Sequence, residues 1–463
     1  MVVLSRVLSP KETGLFTVAA AVTALISTLR DFGVSSYIIQ ERNLTQEKLQ
    51  AALGVAYAFS VVMAGVVVAI SGPAGGFYGD AGVTRILRVM ALAYLFIPMN
   101  ATVMMCLRRE FRFPALYRIS LAGSAAHAAT AISLGLMGAS YMCLAWATVA
   151  NGIATMAAGY AVRPRQYRFV PSLRGWRAVL SFSVYTTAGS ICAEAVTRGC
   201  DLVIGRVLGF TALGLFSRGG SVLTLVNQSL LLAISPVALS LFARTNREGG
   251  AVRQDFLRAT AMVTGVACPA FAVIAVMAGP LIPFLFGPGW TGAVAPARLI
   301  AVSGIVGSMH YLHWSLYQSI GANKERLRVQ LLIALPQVFV ITGLSFVGLR
   351  AAAFGMIVNA AIELIVSQAM INRLLGISAR AFLDPIGRSL FVTLAAAAGP
   401  AAVWAGLLSS HGLWRPLMLA GLLAAPGWLA AVAATRHPLW AELLATAEAI
   451  RPWLRTRPLS ARF

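Results

Sequence analysis

The chain is 463 residues long, 59% hydrophobic and only 11% charged, and its formal net charge is +22. Soluble domains carry about 25% charged residues, so a soluble chain of this length could not cover its surface with so few charges. The composition therefore excludes an ordinary soluble protein and indicates one that is embedded in a membrane.

Apolar runs of roughly 20 residues, the length that crosses about 30 Å of hydrocarbon, recur along the whole chain. Because backbone groups in lipid must be hydrogen-bonded internally, these runs predict helices. The sequence therefore predicts an all-α polytopic membrane protein with about 13 transmembrane helices. In chain order the predicted spans are 14–40, 50–71, 86–107, 115–137, 140–162, 176–205, 212–242, 257–280, 293–319, 327–347, 351–372, 387–408 and 414–434.

The charge of the connecting loops alternates from one side of the membrane to the other. One set of loops, together with the tail 435–463, holds 26 of the 37 basic residues, whereas the opposite side and its flanks hold eight. The positive-inside rule puts the basic set in the cytoplasm. This distribution explains the net charge without a nucleic-acid partner. Anionic membrane lipids are the expected partner of the basic, aromatic loop at 108–112.

An internal repeat is visible near the start and the middle of the chain. Residues 6–16 (RVLSPKETGLF) and 206–216 (RVLGFTALGLF) agree at six of eleven positions without a gap, and both lead into a long span. Transporters are often built from such repeats, with the site in a central cavity between two homologous bundles. A span precedes Arg206 but none precedes Arg6, so we expect a full-length version to have 14 helices. The expected organisation is an N-terminal bundle at 1–162 without its first helix, a C-terminal repeat bundle at 176–372, two extra helices at 387–434, and a basic cytoplasmic tail at 435–463.

Several short motifs resemble a known family in their order and spacing. They are RVLSP (6–10) with GLF (14–16), DFG (31–33) with IIQER (38–42), LRREFRF (107–113), DLVIGRVLG (201–209) with LGLFSR (213–218), and FGPGW (286–290). Together they resemble the bacterial polysaccharide flippases, the O-antigen and exopolysaccharide translocases of the multidrug/oligosaccharidyl-lipid/polysaccharide exporter superfamily. The resemblance covers about residues 1–375.

The resemblance implies a multi-pass protein of the bacterial inner membrane that is a transporter and not an enzyme. Its expected activity is flipping an undecaprenyl-diphosphate-linked oligosaccharide by alternating access, for lipopolysaccharide or exopolysaccharide biosynthesis. Lipid-linked oligosaccharide is the expected substrate, polysaccharide polymerase machinery is a candidate partner, and no cofactor is implied.

Charged side chains inside the spans are the candidate site residues, because each costs roughly 2.5–3.5 kcal/mol at a helix centre on insertion scales and usually faces a cavity or a partner. Glu194, Arg198 and Asp201 are spaced i,i+4 and i,i+3, so they share one face of a helix. Arginine suits a diphosphate because its planar fork binds phosphate oxygens and stays charged when buried. The candidate substrate-binding residues are Arg30, Arg198 and Arg218, and the candidates for pairing with them or for coupling to an ion are Asp31, Glu194, Asp201 and Glu363.

Other readings of these residues stay open. The charged triad could neutralise itself and join helices, and Arg30 and Arg218 could extend to the membrane interface. His310 and His313 are one turn apart and no further metal ligand is evident, so we expect interfacial or cavity packing, with a metal site or a proton relay as the lesser alternative. A multidrug or cation antiporter of the same superfamily, a membrane-embedded polysaccharide polymerase and a non-transporting partner protein are the alternative functions. A polymerase is expected to present catalytic residues in a large outer loop, and this sequence shows neither such a loop nor a catalytic grouping.

Overall fold

The computed structural model describes residues 2–31, 38, 45–164, 168–173, 176, 194–406 and 414–455, with the side chains of 29–31, 233, 447 and 449–455 outside the description. Across these residues, helix is the only regular secondary structure. The expected all-α fold class is confirmed.

Most of the described helices are long enough to match an apolar run. They are α1 (Val2–Val7), α2 (Pro10–Asp31), α3 (Gln46–Tyr78), α4 (Ala81–Ala93), α5 (Ile97–Arg109), α6 (Phe113–Leu136), α7 (Met142–Val162), α8 (194–207), α9 (Gly209–Val226), α10 (Leu232–Arg247), α11 (Val252–Phe286), α12 (Val294–His310), α13 (His313–Ser319), α14 (Asn323–Ser345), α15 (Leu349–Leu375), α16 (Ala379–Gly406), α17 (Trp414–Ala434) and α18 (Pro438–Arg455). A π-helical turn, Asn227–Leu231, joins α9 to α10, and a 3₁₀ turn, Pro288–Ala293, precedes α12.

Local sequence explains where several of these helices begin and end. Gly79 ends α3 in the left-handed region at φ 68°, which glycine adopts without strain. The next residue, Asp80, caps α4 by accepting a hydrogen bond from the Gly82 amide at 2.7 Å. The Thr45 side chain caps α3 in the same way, accepting from the Lys48 amide. Side-chain caps therefore set the short turn between two apolar helices.

Ten described helices are long and apolar enough to cross a membrane, or eleven if one bent pair counts as a single span. These correspond to eleven of the predicted spans; the other two, 14–40 and 176–205, fall partly on residues outside the described set. The count of 13 is therefore not confirmed. Span 86–107 is not one straight helix: α4 and α5 meet at a bend of 47°. Pro98 sits in the first turn of α5 and cannot donate a backbone hydrogen bond, so the chain restarts there.

The chain divides into two compact units. The first comprises Met1–Ser217 with Ile341–Leu349, and the second comprises Arg218–Val340 with Arg350–Phe463. Each has its own buried core. In the second unit the 35-residue helix α11 is central and packs against α12, α16 and α17. Phe256 and Phe271 of α11 are fully buried in its largest cluster of apolar side chains.

In the first unit, the two copies of the sequence repeat meet at a close crossing. A Cβ atom added at Gly14 would collide with the carbonyl group of Phe210, and one added at Gly214 would collide with the carbonyl group of Pro10. The contact is reciprocal, because Pro10 and Phe210 hold equivalent positions in the repeat, as Gly14 and Gly214 do. Two copies related by a pseudo-two-fold axis make contacts of this kind. Only a residue without a side chain lets the backbones approach so closely.

Candidate functional site

The charged triad predicted from spacing is formed on α8. The Nε atom of Arg198 donates to Glu194 Oε1 at 2.7 Å, and its Nη1 atom lies 3.9 Å from Asp201 Oδ2. The three side chains are only partly covered, with exposed fractions of 40% for Arg198, 30% for Glu194 and 19% for Asp201. One arginine is thus held between two acids, one turn away on either side, and the group carries a net charge of −1.

The position of the triad is fixed where α8 packs against α3. The Tyr78 hydroxyl donates to the Leu202 carbonyl at 3.1 Å, and the Arg206 guanidinium lies 5.0 Å from the centroid of the Phe77 ring. A Cβ atom added at Gly205 would press against the Val18 side chain at 2.8 Å, so α2 is also close. Helices α2 and α3 therefore contact the turns of α8 that come after the triad in the chain, while Arg198 stays partly exposed.

Arg218 lies elsewhere, in the second unit, and is almost completely buried at 6% exposure. The central carbon of its guanidinium is 4.9 Å from the Trp290 ring centroid and 5.2 Å from the Phe286 ring centroid, which is cation–π geometry. The two aromatic residues begin and end the FGPGW motif. Next to Arg218, Gly219 brings α9 against the backbone of Ala297 in α12. This enclosure favours an anchoring role for Arg218 in the conformation observed.

The side chains of Arg30 and Asp31 lie outside the described residues, although both belong to α2. Their predicted roles therefore stay predictions.

Glu363 faces a polar cluster in the second unit that the sequence analysis did not predict. Its Oε1 atom is 3.7 Å from Nδ1 of His310, and its Oε2 atom accepts a hydrogen bond of 3.4 Å from Nε2 of Gln337. Three helices contribute these groups: α12, α14 and α15. The Gln337 carbonyl in turn accepts from the Asn359 side chain at 3.2 Å. Among these contacts, Glu363 meets an imidazole and an amide but no arginine.

His313 extends the same cluster. Its Nδ1 atom is 2.7 Å from the Ser367 hydroxyl, and that hydroxyl donates to the Glu363 carbonyl oxygen at 2.5 Å. These two contacts link the His313 ring to the backbone of α15. The Nε2 atoms of both His310 and His313 are buried and have no hydrogen-bond partner within the described part of the chain. Buried polar atoms are normally satisfied, so each such atom needs an explanation.

A signal for this cluster was present in the sequence but was not used. Asn359, Glu363 and Ser367 recur every four residues, so they form a polar stripe along one face of the otherwise apolar helix α15. A polar stripe inside a span indicates buried partners on neighbouring helices. The stripe could have linked Glu363 to the two histidines, which were assigned to packing. The described residues contain no group of three or more His, Cys, Asp or Glu side chains that could hold a metal ion.

The fold defines the class of protein. It is similar to that of the lipid II flippase MurJ in an inward closed conformation, with a TM-score of 0.75 and 12% identity over 96% of both chains. It is also similar to an inward-facing multidrug resistance transporter of the MATE family, of the MOP superfamily, with a TM-score of 0.67 and 16% identity over 82% of this chain and 94% of the other. At these identities the likeness shows the fold alone.

The family follows from sequence. The profile of the family described as polysaccharide biosynthesis protein matches residues 3–295, which is more than half of the chain, and the chain belongs to this family. It is 24% identical to the lipopolysaccharide biosynthesis protein WzxC of Escherichia coli (strain K12), over 67% of this chain and 63% of that protein. It is 25% identical to the succinoglycan biosynthesis transport protein ExoT of Rhizobium meliloti (strain 1021), over 65% of this chain and 61% of that protein. The matches thus span about three fifths of each relative's length. The resemblance stated from the motifs is confirmed.

Proposed function

We propose that the chain moves an undecaprenyl-diphosphate-linked oligosaccharide across a bacterial inner membrane, for lipopolysaccharide or exopolysaccharide biosynthesis. The observation that carries the proposal is the combination of family and fold in one chain. The family is that of polysaccharide biosynthesis proteins, and the fold is similar to that of a lipid II flippase along almost the whole length. A polysaccharide precursor attached to a lipid is the substrate that is consistent with both the family and the fold.

Arg198 is the residue that we expect to meet the diphosphate. Its guanidinium is already extended, partly exposed and oriented by Glu194 and Asp201. A diphosphate carries more negative charge than a carboxylate and offers several oxygens to the planar guanidinium. It can therefore replace one of the two carboxylates while the arginine keeps its hydrogen bonds. The two acids would hold the arginine ready between transport cycles. Arg30 and Arg218 stay candidates for binding the substrate, and Asp31 stays a candidate for pairing with an arginine or coupling to an ion.

Transport would proceed by alternating access, and the duplication offers a mechanism. Equivalent helices in the bundles 1–162 and 176–372 would move against each other and open the substrate path first to one side and then to the other. The glycine crossing of α2 and α9 would be remade in each cycle. The helices at 387–434 and the tail at 435–463 would be accessory to this movement, and polysaccharide polymerase machinery would receive the product.

Glu363 would couple transport to an ion, and the cluster around it favours a proton. Sodium prefers oxygen ligands, whereas Glu363 faces His310 and an amide nitrogen of Gln337. An imidazole and a carboxylate can exchange a proton, and the 3.7 Å between these two would shorten to hydrogen-bond distance in that step. Binding of a proton would change the charge inside the second unit, and a change of charge in a low-dielectric interior is a strong driving force for rearrangement.

A deletion and rescue experiment tests the proposed function. The gene is deleted in its native host, and lipid-linked oligosaccharide in the inner membrane and polysaccharide at the surface are both measured. We expect the lipid-linked intermediate to accumulate while surface polysaccharide is lost. Wild type and Arg244→Ala should rescue, and Arg198→Ala should not. Arg244 is a matched control because it makes the same i,i+4 pair, to Glu248 at 2.8 Å, on an exposed surface. Normal surface polysaccharide in the deletion strain would contradict the proposal.

A multidrug or cation antiporter is the second candidate. The likeness to a MATE transporter and the net negative charge of the triad favour it. It predicts that the deletion strain becomes sensitive to cationic drugs while surface polysaccharide is unchanged.

A further inference from the structure

The turn between α5 and α6 holds a phenylalanine in a conformation that favours glycine. Phe111 has φ 55°, in the left-handed region that bulky side chains rarely adopt. The turn closes with two hydrogen bonds typical of a helix C-terminus, from the Arg112 amide to the Leu107 carbonyl at 2.9 Å and from the Phe111 amide to the Arg108 carbonyl at 3.1 Å. Glycine at this position would make the same turn without strain. The backbone of the turn therefore does not explain a phenylalanine at this position.

The strained residue presents its ring outward, in a cluster of exposed aromatic and basic side chains. Phe111 is 76% exposed and Phe113 is 60% exposed, and their rings are 6.1 Å apart in an edge-to-face arrangement. Tyr117 is also exposed, one turn further along α6. The exposed basic residues around these rings are Arg108, Arg112 and Arg118, and the acid within the turn is Glu110, 4.0 Å from Arg112. We name this set of side chains the α5–α6 surface.

We propose that the α5–α6 surface docks anionic phospholipid headgroups of the cytoplasmic leaflet. The turn joins two helices of predicted spans, so it emerges where the membrane meets water. Its arginines outnumber its acid, and phosphate is the complementary charge at that depth. Aromatic rings beside the arginines would enter the boundary between headgroups and acyl chains, where such rings are enriched in membrane proteins. The strain at Phe111 is then explained by a ring that must point away from the protein.

The proposal depends on the cytoplasmic orientation of this turn but not on what the protein transports. A local probe tests it with the whole chain in lipid nanodiscs. The five native cysteines are replaced, and a bimane fluorophore is attached at Tyr117→Cys. Nanodiscs of phosphatidylcholine are compared with nanodiscs that contain increasing fractions of phosphatidylglycerol. We expect the fluorescence to shift to shorter wavelength as phosphatidylglycerol increases.

Two variants and one control make the test specific. Arg108→Gln combined with Arg112→Gln should weaken the apparent affinity for phosphatidylglycerol roughly 30-fold, as expected for two arginines at a membrane surface. Phe111→Gly should reduce the shift without unfolding the turn, because glycine fits its backbone conformation. The same fluorophore at Phe346→Cys, an exposed phenylalanine in another turn, should not respond.

Three results would overturn the proposal. One is an equal response to both phospholipids, and another is an unchanged response in the double arginine variant. The third is a response to undecaprenyl phosphate that exceeds the response to phosphatidylglycerol and needs the same arginines. That result would assign the surface to the proposed substrate.

Discussion

Glu194 and Glu363 are both acids inside predicted spans, yet their surroundings differ in kind. Glu194 accepts a 2.7 Å hydrogen bond from an arginine, which stays charged at any physiological pH. Glu363 faces His310 and Gln337, and an imidazole gains or loses its proton near neutral pH. The partner of Glu194 keeps its charge, whereas the partner of Glu363 is a side chain of the kind that exchanges protons. The roles proposed for the two sites, substrate electrostatics for Glu194 and ion coupling for Glu363, rest on this difference.

Arg198→Ala should have the largest effect on this comparison. It leaves Glu194 and Asp201 as two neighbouring acids where a diphosphate is expected, so substrate should be repelled. Removing one partner of such a charge pair costs about 2 kcal/mol or more in binding, which is roughly a 30-fold loss of affinity. The measurement is uptake of lipid-linked oligosaccharide into membrane vesicles. Arg198→Lys keeps the positive charge but not the planar guanidinium, so its uptake should lie between that of wild type and that of Arg198→Ala. Normal transport by Arg198→Ala would remove the triad from the substrate path.

Glu363→Gln should come next, and it should act on the energy source more than on substrate affinity. The substitution keeps the shape and one hydrogen-bonding oxygen but removes the carboxylate that faces His310. Transport into vesicles should lose its response to an imposed pH gradient, while substrate affinity stays close to that of wild type, because Glu363 is not among the residues proposed to bind the substrate. The result is compared with Arg198→Ala, which should show the opposite pattern. Equal responses of wild type and Glu363→Gln to the gradient would contradict ion coupling at this cluster.

Gly14→Leu tests the crossing of α2 and α9 without changing any charge, so its effect on transport can be compared with the effects of Arg198→Ala and Glu363→Gln. The added side chain meets the Phe210 carbonyl, so the crossing of α2 and α9 cannot form, and overpacking of this kind costs about 1–3 kcal/mol. Gly214→Leu should have a matching effect, because its contact with Pro10 is the reciprocal one. Gly65→Leu in α3 is the control, since a Cβ atom there meets nothing within 4 Å. Thermal unfolding and transport are both measured, and unequal effects of the two crossing variants would count against an equivalent role.

The smallest expected effect is a pH-dependent loss of local stability at His437, a histidine that can be compared with His310. Its side chain is buried at the start of α18; Nδ1 accepts from the Leu439 amide at 3.3 Å, and Nε2 is 3.1 Å from the Ser389 hydroxyl. Burial lowers the pKa of His437, and the nearby Arg388 charge lowers the pKa further. The unfolded chain therefore binds this proton more readily, and the stability that depends on neutral His437 is lost as pH falls below about 6.5, the ordinary histidine value.

Hydrogen exchange of α18 at pH 7.5 and pH 5.5 checks this expectation. Wild type should lose protection in α18 at the lower pH, and His437→Phe should not change with pH. Transport should respond to pH through Glu363 in both proteins. If His437→Phe abolished the response of transport to a pH gradient, the distinction between a local stabilising histidine and a coupling cluster would fail.

Sequence reasoning found what is local along the chain. Long apolar runs predicted the helices, and the spacing of Glu194, Arg198 and Asp201 predicted their shared face, because helical periodicity alone determines both. The bend at Pro98 was missed since proline is tolerated in many spans. The contact of Glu363 with His310 was also missed. It joins two residues 53 positions apart in the chain, and the polar stripe of α15 indicates a buried partner without showing which helix supplies it.

The repeat also shows that a sequence pattern does not reveal contacts between helices. Its two copies were visible as matching letters, but the reciprocal approach of Gly14 to Phe210 and of Gly214 to Pro10 depends on how α2 and α9 cross. Likewise, Arg218 was correctly singled out as a charge inside a span, while its enclosure by Phe286 and Trp290 required the fold.

Flipping of lipid-linked oligosaccharide in proteoliposomes tests the central claim most directly. The purified chain is reconstituted with a fluorescent undecaprenyl-diphosphate-linked oligosaccharide, and an impermeant quencher reports the fraction in the outer leaflet over time. We predict that wild-type protein lets label from the inner leaflet become accessible, that an imposed pH gradient accelerates this movement, and that Arg198→Ala matches protein-free liposomes. Movement no faster than in protein-free liposomes, for wild-type protein shown to be folded, would contradict the account.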